Sequence, residues 1–170
     1  MLKKRANTTE KGSYALVNGL NMYYEIHGTG KPLVLIHGAF GSIKTNFGNI
    51  LPAFAETNQV IAVELQGHGH TADVHRPLTP EQMADDVAAL LRYLNIENAD
   101  FFGYSMGGDV SVQLAVRHPD LVSKIIFSGG PSYHPDGFYP EVLESKKMMK
   151  PGKPWREYYI VSRQNLQIFL

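Results

Sequence analysis

The sequence predicts an α/β fold, a mostly parallel sheet with helices on both faces. Apolar runs of strand length recur at 33–36, 59–64, 99–102 and 124–127. Stretches with helical periodicity separate them, and strands that alternate with helices favour a parallel sheet. A serine flanked by glycines, Ser105, lies between the third apolar run and the next helical stretch. That position is typical of a turn that presents a side chain at the end of a sheet.

The first elements are two strands at 13–17 and 22–27. Asn18-Gly19 begins the turn between them and is a strong hairpin signal. We expect these strands to form an antiparallel edge of the sheet. Residues 1–12 are polar, and we expect them to form a disordered tail.

The remaining elements alternate. The strand at 33–36 precedes a helix predicted over 45–56, in which Pro52 is a weak point. The strand at 59–64 is continuously apolar, as expected of a sheet covered on both faces. Thr79 is a predicted N-cap with Pro80 at the first helical position, and that helix extends to about Leu94. The strand before Ser105, a helix over 106–117 and the strand at 124–127 follow.

The motif Gly103-Tyr104-Ser105-Met106-Gly107 has the G-x-S-x-G pattern of a nucleophile elbow. A strained turn holds the serine, and a Cβ at either flanking glycine would clash with nearby backbone. The N-terminus of the following helix favours negative charge, and the Met106 N–H would donate one hydrogen bond to an oxyanion. The motif predicts acyl transfer through a serine ester, with Ser105 as the nucleophile.

The turn after the strand at 33–36 reads His37-Gly38-Ala39-Phe40. A loop in this position donates the second oxyanion N–H, which we assign to Ala39, with Gly38 allowing the sharp turn. His37 follows the strand immediately. One interpretation makes it a catalytic base, and the favoured one has it brace the loop through hydrogen bonds.

Together these motifs resemble the α/β-hydrolase fold family, in its serine esterase and lactonase-like branch. Residues 60–71 are similar to the family's fourth strand and the Gly-His-Gly loop after it. Residues 114–122 are similar to the end of the helix after the nucleophile, and 123–128 to the sixth strand. The resemblance covers about residues 14 to 145, the N-terminal two-thirds of the fold. It implies a fold truncated after the sixth strand and the start of the cap.

The resemblance divides the chain into three parts. A disordered tail over 1–12 precedes an incomplete α/β-hydrolase core over 13–130. Residues 131–170 contain the start of the cap, or lid, and a C-terminal tail that is aberrant on one hypothesis. Back-translation of 162–170 in a shifted frame gives a cap-like segment, which motivates the hypothesis of a frameshift near Val161. A fragment of a longer protein and a natural short form are the alternatives.

The resemblance implies a serine hydrolase that acts on carboxylic esters or lactones through an acyl-enzyme on Ser105. A serine nucleophile argues against the dehalogenase and epoxide-hydrolase branches, which have aspartate there. Haloperoxidase-like chemistry without a cofactor and hydrolysis of carbon–carbon bonds are alternatives within the serine branch. We expect an apolar substrate pocket at four aromatic residues, Phe40, Tyr104, Phe138 and Tyr139. Ordinary loop packing of these aromatic side chains is the alternative.

The catalytic acid and histidine that the family places after the serine have no clear match. After the strand at 124–127, Asp136 is the nearest acid and His134 is the last histidine. The family's acid normally follows the seventh strand, but some families place it after the sixth, so Asp136 is an alternative for the acid. His134 fits less well, because the family's histidine comes from a different strand. The alternative function is therefore a catalytically inactive truncated fragment, or a small-molecule-binding module that lacks the triad. His68 and His70 have the spacing of metal ligands, but no second pair completes a site. We expect no metal and no cofactor.

Composition argues against several other classes of function. Lysine plus arginine and aspartate plus glutamate number 16 each, a balance without an electrostatic footprint for nucleic acid. The chain has no cysteine, which excludes a disulfide framework and a thiolate nucleophile. No apolar run is long enough for a membrane span, and no apolar segment follows the basic start. We expect a cytoplasmic protein whose partner is a small ester-like molecule.

The strand at 124–127 has a special place in this prediction. Without later strands it becomes the edge of the sheet, with a row of unpaired backbone groups. We expect low stability and self-association of the chain through this edge.

Overall fold

The computed structural model describes residues 12–129, together with the backbone of 133–134, 137–138 and 160–162. The strands are β1 (Ser13–Val17), β2 (Leu20–His27), β3 (Lys31–Ile36), β4 (Asn58–Val63), β5 (Ala99–Tyr104), β6 (Val122–Ser128), β7 (Tyr133–His134), β8 (Gly137–Phe138) and β9 (Ile160–Ser162). The helices are α1 (Ile43–Phe47), α2 (Leu51–Phe54), α3 (Pro80–Tyr93) and α4 (Met106–Arg117).

One sheet organises the described residues, in the order β1-β2-β4-β3-β5-β6-β9. The pairs β4–β3, β3–β5 and β5–β6 are parallel, whereas β1–β2 and β2–β4 are antiparallel. This confirms the predicted α/β class with its antiparallel edge. Because β3 and β5 are neighbours in register, the loops that follow them leave the same end of the sheet side by side.

Apolar layers cover both faces of the sheet. Along β3, Leu33 and Leu35 face the layer that contains α1 and α2, and Val34 and Ile36 face the layer that contains α3 and α4. All four side chains are buried. Burial on both faces explains why the strand is continuously apolar rather than alternating.

The single helix predicted over 45–56 is in fact two short helices, α1 and α2, separated near Gly48. Pro52 lies in the first turn of α2, where a missing N–H removes no helical hydrogen bond. The helix predicted from Pro80 agrees closely with α3, whose N-cap Thr79 accepts a hydrogen bond from the Gln82 N–H at 3.2 Å. The hairpin turn is tighter than predicted, because Asn18 and Gly19 both have positive φ and β2 begins at the next residue.

The edge of β6 differs from the expectation. Residues 160–162 pair with it in an antiparallel ladder, with Lys124 opposite Ser162 and Ile126 opposite Ile160. The predicted open edge is therefore wrong over this ladder. Unpaired N–H and C=O groups favour the addition of a strand, and β-branched residues such as Ile160 and Val161 favour the extended conformation. Self-association of the chain stays a prediction.

Several predictions lie outside the described residues. They concern the N-terminal tail, Asp136, Tyr139 and most of the cap and C-terminal tail, while Phe138 and His134 are described only as backbone in the β7–β8 pair. No helix in the part of the chain that the structure describes is long and apolar enough to cross a membrane.

Candidate active site

Ser105 lies between β5 and α4 with φ 51° and ψ −118°. A non-glycine residue in this region is strained by about 1–3 kcal/mol, and the surroundings must hold it there. Backbone hydrogen bonds do so, since the Ser105 N–H donates to the Ser128 carbonyl at 2.8 Å and the Ser105 carbonyl accepts from the Gly108 N–H at 2.7 Å. The residue is exposed, so its hydroxyl is accessible at the end of the sheet.

The glycines that flank Ser105 lie where three elements meet. A Cβ on Gly103 would overlap with the backbone of Gly107, and a Cβ on Gly107 would overlap with the carbonyl of Ile36. Strands β3 and β5 and the first turn of α4 therefore approach too closely for any larger residue. This is the geometry that the elbow motif requires.

The loop after β3 is a tight turn beside the serine. The Gly41 N–H donates to the Gly38 carbonyl at 3.1 Å, and Phe40 has φ 58°. A Cβ on Gly38 would lie 3.2 Å from the Ser105 Cβ, so this loop and the elbow are in near contact. Ala39 and Phe40 are exposed on the loop.

His37 is fully buried and uses both ring nitrogens. Its Nε2 accepts from the Leu65 N–H at 3.1 Å, which leaves Nδ1 to donate to the Gly38 carbonyl at 2.8 Å. Burial lowers the pKa of His37, because the charged imidazolium would lose its hydration, and the nearby His68 ring lowers it further. The geometry matches a residue that braces the loop, and the base interpretation has no free nitrogen to support it.

Two backbone N–H groups near Ser105 are free to bind an anion. Among the described residues, neither the Ala39 N–H nor the Met106 N–H has a hydrogen-bond acceptor. Met106 is also the first residue of α4, where the helix dipole favours negative charge. Such a pair of donors is what an oxyanion hole needs.

A base for Ser105 is missing from the described part of the chain. No histidine there is hydrogen-bonded to the Ser105 hydroxyl, and most have other contacts: His27 with Glu25, His68 with the Gln66 carbonyl, His70 with Glu64, and His118 with Asp85. Within the same residues, no three His, Cys, Asp or Glu side chains are grouped to hold a metal ion.

Two residues, Asn46 and Glu64, contact the elements around the site and are not among the site residues predicted from the sequence. Asn46 on α1 accepts the Gly38 N–H with its Oδ1 at 2.9 Å. The buried Glu64 accepts the Ile43 N–H at 3.2 Å and also contacts the His70 ring. A carboxylate at the end of an apolar strand is a signal that could have pointed to Glu64, whereas Asn46 has no local signal.

The expected substrate-pocket residues are only partly described. Phe40 is completely exposed and Tyr104 is 43% exposed, and both adjoin the loop and the elbow. Ring atoms of Tyr104 lie 2.9 Å from the position of a Cβ on Gly38. The structure thus brings Phe40 and Tyr104 to the same end of the sheet as Ser105, and it says nothing of the Phe138 and Tyr139 side chains.

The fold and this constellation match those of a known family. Residues 31–163 match the alpha/beta hydrolase fold family. The chain belongs to this family. The predicted resemblance is confirmed.

Its relatives differ in activity. The chain is 36% identical to the soluble epoxide hydrolase of a Corynebacterium species over 65% of its length, and 32% identical to the sn-1-specific diacylglycerol lipase ABHD11 of Xenopus laevis over 83%. Among solved structures, it is similar to Est816, an N-acyl homoserine lactone degrading enzyme. The TM-score is 0.66 with 29% identity, over 79% of this chain and 51% of that one.

The match is partial in length. The chain spans 38% of the epoxide hydrolase and 47% of the lipase, less than half of each curated relative. This partial coverage agrees with the predicted match to only part of the fold.

Proposed function

We propose that this chain is a serine hydrolase, which hydrolyses carboxylic esters or lactones through an acyl-enzyme on Ser105. The observation that carries the proposal is the strained, exposed Ser105 beside two unused N–H donors. Two of the relatives support the substrate class by name, a diacylglycerol lipase and an enzyme that degrades N-acyl homoserine lactones. The epoxide hydrolase relative is the competing case, and a serine at the nucleophile position favours acyl transfer over it.

In the proposed reaction, the Ser105 Oγ attacks the carbonyl carbon of the bound ester. The new C–O bond moves the carbonyl electron pair onto oxygen, and the Ala39 and Met106 N–H groups donate hydrogen bonds to this oxyanion. Collapse of the tetrahedral intermediate breaks the bond to the leaving alcohol and leaves the acyl group on Ser105. A base must accept the serine proton and deliver it to the alcohol, and water then releases the acid.

The test uses the whole 170-residue chain and p-nitrophenyl acetate. We expect a burst of p-nitrophenol that is followed by steady release, and a mass increase of one acetyl group on the peptide that contains Ser105. Ser105→Ala should abolish both, and Ser13→Ala, which changes an exposed serine at the start of β1, should abolish neither. Equal, background-level rates in wild type and Ser105→Ala would refute the proposal.

A second candidate is an inactive fragment or a small-molecule-binding module. The observation in its favour is the lack of a histidine bound to the Ser105 hydroxyl among the described residues. This candidate predicts no turnover and equal rates for wild type and Ser105→Ala. A burst of acylation without turnover would instead indicate a working nucleophile and oxyanion hole that lack the base.

A further inference from the structure

We propose that Asn46 is a positioning residue that holds the loop after β3 in the shape in which Ala39 can donate to an oxyanion. The inference rests on the proposed function, since it concerns how the same site is held in shape. The observation behind it is the hydrogen bond from the Gly38 N–H to the Asn46 Oδ1, at 2.9 Å.

The loop over 38–41 has four N–H groups that could face an oxyanion. Asn46 engages the N–H of Gly38, and the turn itself engages the N–H of Gly41. Only the Ala39 and Phe40 groups have no acceptor among the described residues. The Asn46 amide therefore occupies one donor of the loop and fixes the peptide between His37 and Gly38. The next peptide carries the Ala39 N–H, and its Gly38 carbonyl accepts from the Gly41 N–H and the His37 Nδ1.

The Asn46 side chain also fills the inside of the turn. A Cβ on Gly41 would overlap with the Asn46 amide, and the Gly38 N–H donates to the same amide. Both ends of the loop therefore contact the Asn46 side chain. On its outer side the loop is in near contact with Ser105, through Gly38. Loss of the amide would remove its contact with the loop and leave the Gly38 N–H without an acceptor.

Helix α1 holds Asn46 in place despite its short length. Ser42 and Thr45 form a capping box at its start, and the Ile43 N–H donates to the buried Glu64. The buried Phe47 anchors the next position in the apolar layer. Asn46 thus projects from an element with its own supports, which is what a positioning residue requires.

The test measures single-turnover acylation of the whole chain by p-nitrophenyl acetate over a range of ester concentrations. Asn46→Ala should lower the maximal acylation rate about 10- to 100-fold, because a misplaced donor loses most of its effect on the transition state. The ester concentration for half-maximal rate should change by less than about twofold. Lys44→Ala, on the exposed side of the same helix, should acylate like wild type.

Amide hydrogen exchange gives a second readout that is independent of chemistry. The Gly38 amide should exchange faster in Asn46→Ala and regain protection in Asn46→Asp, whose carboxylate can also accept from the Gly38 N–H. Unchanged acylation and unchanged Gly38 exchange in Asn46→Ala would overturn the inference. So would an equal loss of rate in Lys44→Ala. A wild-type chain that shows no Ser105-dependent acylation would refute the proposed function and, with it, the inference. If the wild-type chain is acylated at Ser105 but Asn46→Ala behaves like wild type, only the inference fails.

Discussion

Gly107 is the second residue of α4 and lies directly behind the carbonyl groups of Ile36 and His37, and a Cβ there would overlap with both. Gly107→Ala should therefore force β3 and α4 apart and destabilise the fold by about 2 kcal/mol or more. Urea unfolding followed by circular dichroism measures the free energy of unfolding. A Gly107→Ala chain that fails to fold would also show the expected loss of stability.

Gly108→Ala is the matched control, since Gly108 is also buried in the first turn of α4. Its Cβ would lie 3.1 Å from the buried Phe127 ring, which would have to move by only a few tenths of an ångström. Alanine also gains about 1 kcal/mol of helix propensity over glycine. We expect little net change, and equal losses at the two positions would contradict the role of the Gly107 close approach.

His37 should make the stability of the fold depend on pH. Because its pKa is lowered in the folded state, the unfolded chain binds a proton at His37 before the folded chain does. The free energy of unfolding should therefore fall as the pH drops below about 6.5, the ordinary histidine value, by up to ~1.4 kcal/mol per pH unit from this group. Urea unfolding at pH 7.5, 6.5, 5.5 and 5.0 measures the slope.

His37→Gln should be less stable than wild type at pH 7.5 and should show a smaller slope at acidic pH. Val110→Ala, which truncates a buried side chain of α4 without changing any titratable group, should keep the wild-type slope. A wild-type slope in His37→Gln would show that other groups are responsible.

At the scale of elements, α3 is tied to the loop after β4 and to the first hairpin by Asp86. This buried carboxylate accepts from the Arg76 guanidinium at 2.5 Å, from the Asn18 amide at 3.1 Å and from the Gln82 amide at 3.2 Å. Asp86→Ala would leave Arg76, which is mostly buried, without its carboxylate. We expect a loss of about 3 kcal/mol in the free energy of unfolding.

Asp85, the preceding residue of α3, is the matched control. It pairs with Arg117 and His118 at the surface, and the Arg117 hydrogen bonds hold the pKa of Asp85 below its usual value. Solvent screens this pair, so Asp85→Ala should cost much less than Asp86→Ala. Similar losses at the two positions would contradict the importance of burial.

Local signals account for most of the elements. Thr79-Pro80 predicts the start of α3 because the capping chemistry is contained in adjacent residues. Pro52 indicates that the predicted helix is interrupted, but it does not indicate where. In a sequence, a proline in the first turn of a helix cannot be distinguished from a proline inside a helix. The residues of the site likewise divide into those with a local sequence signal and those without one. Ser105 and its glycines form a motif, whereas Asn46 and Glu64 act through partners on other elements that no local pattern reveals.

For the whole molecule, the β6–β9 ladder decides whether β6 is an inner strand or the edge strand of the sheet. Val161→Pro would remove a backbone N–H at the centre of β9, opposite Ile125. We expect the unpaired edge of β6 to recruit a second chain. Light scattering after size-exclusion chromatography should show a larger mass that grows with protein concentration.

Val161→Ile keeps the β-branched residue and should behave like wild type in the same experiment. Faster amide exchange at Ile125 in Val161→Pro would confirm that the ladder has opened. A monomeric Val161→Pro chain with an opened ladder would refute self-association through this edge.

The hydrogen bond between the Ser105 N–H and the Ser128 carbonyl has a consequence for biosynthesis. The ribosome makes Ser128 only after α4 is complete, so this hydrogen bond cannot form in a nascent chain until β6 has left the exit tunnel. At ordinary elongation rates this delay is on the order of seconds. The serine turn thus gains its full set of backbone hydrogen bonds only after the helix that follows it has been made.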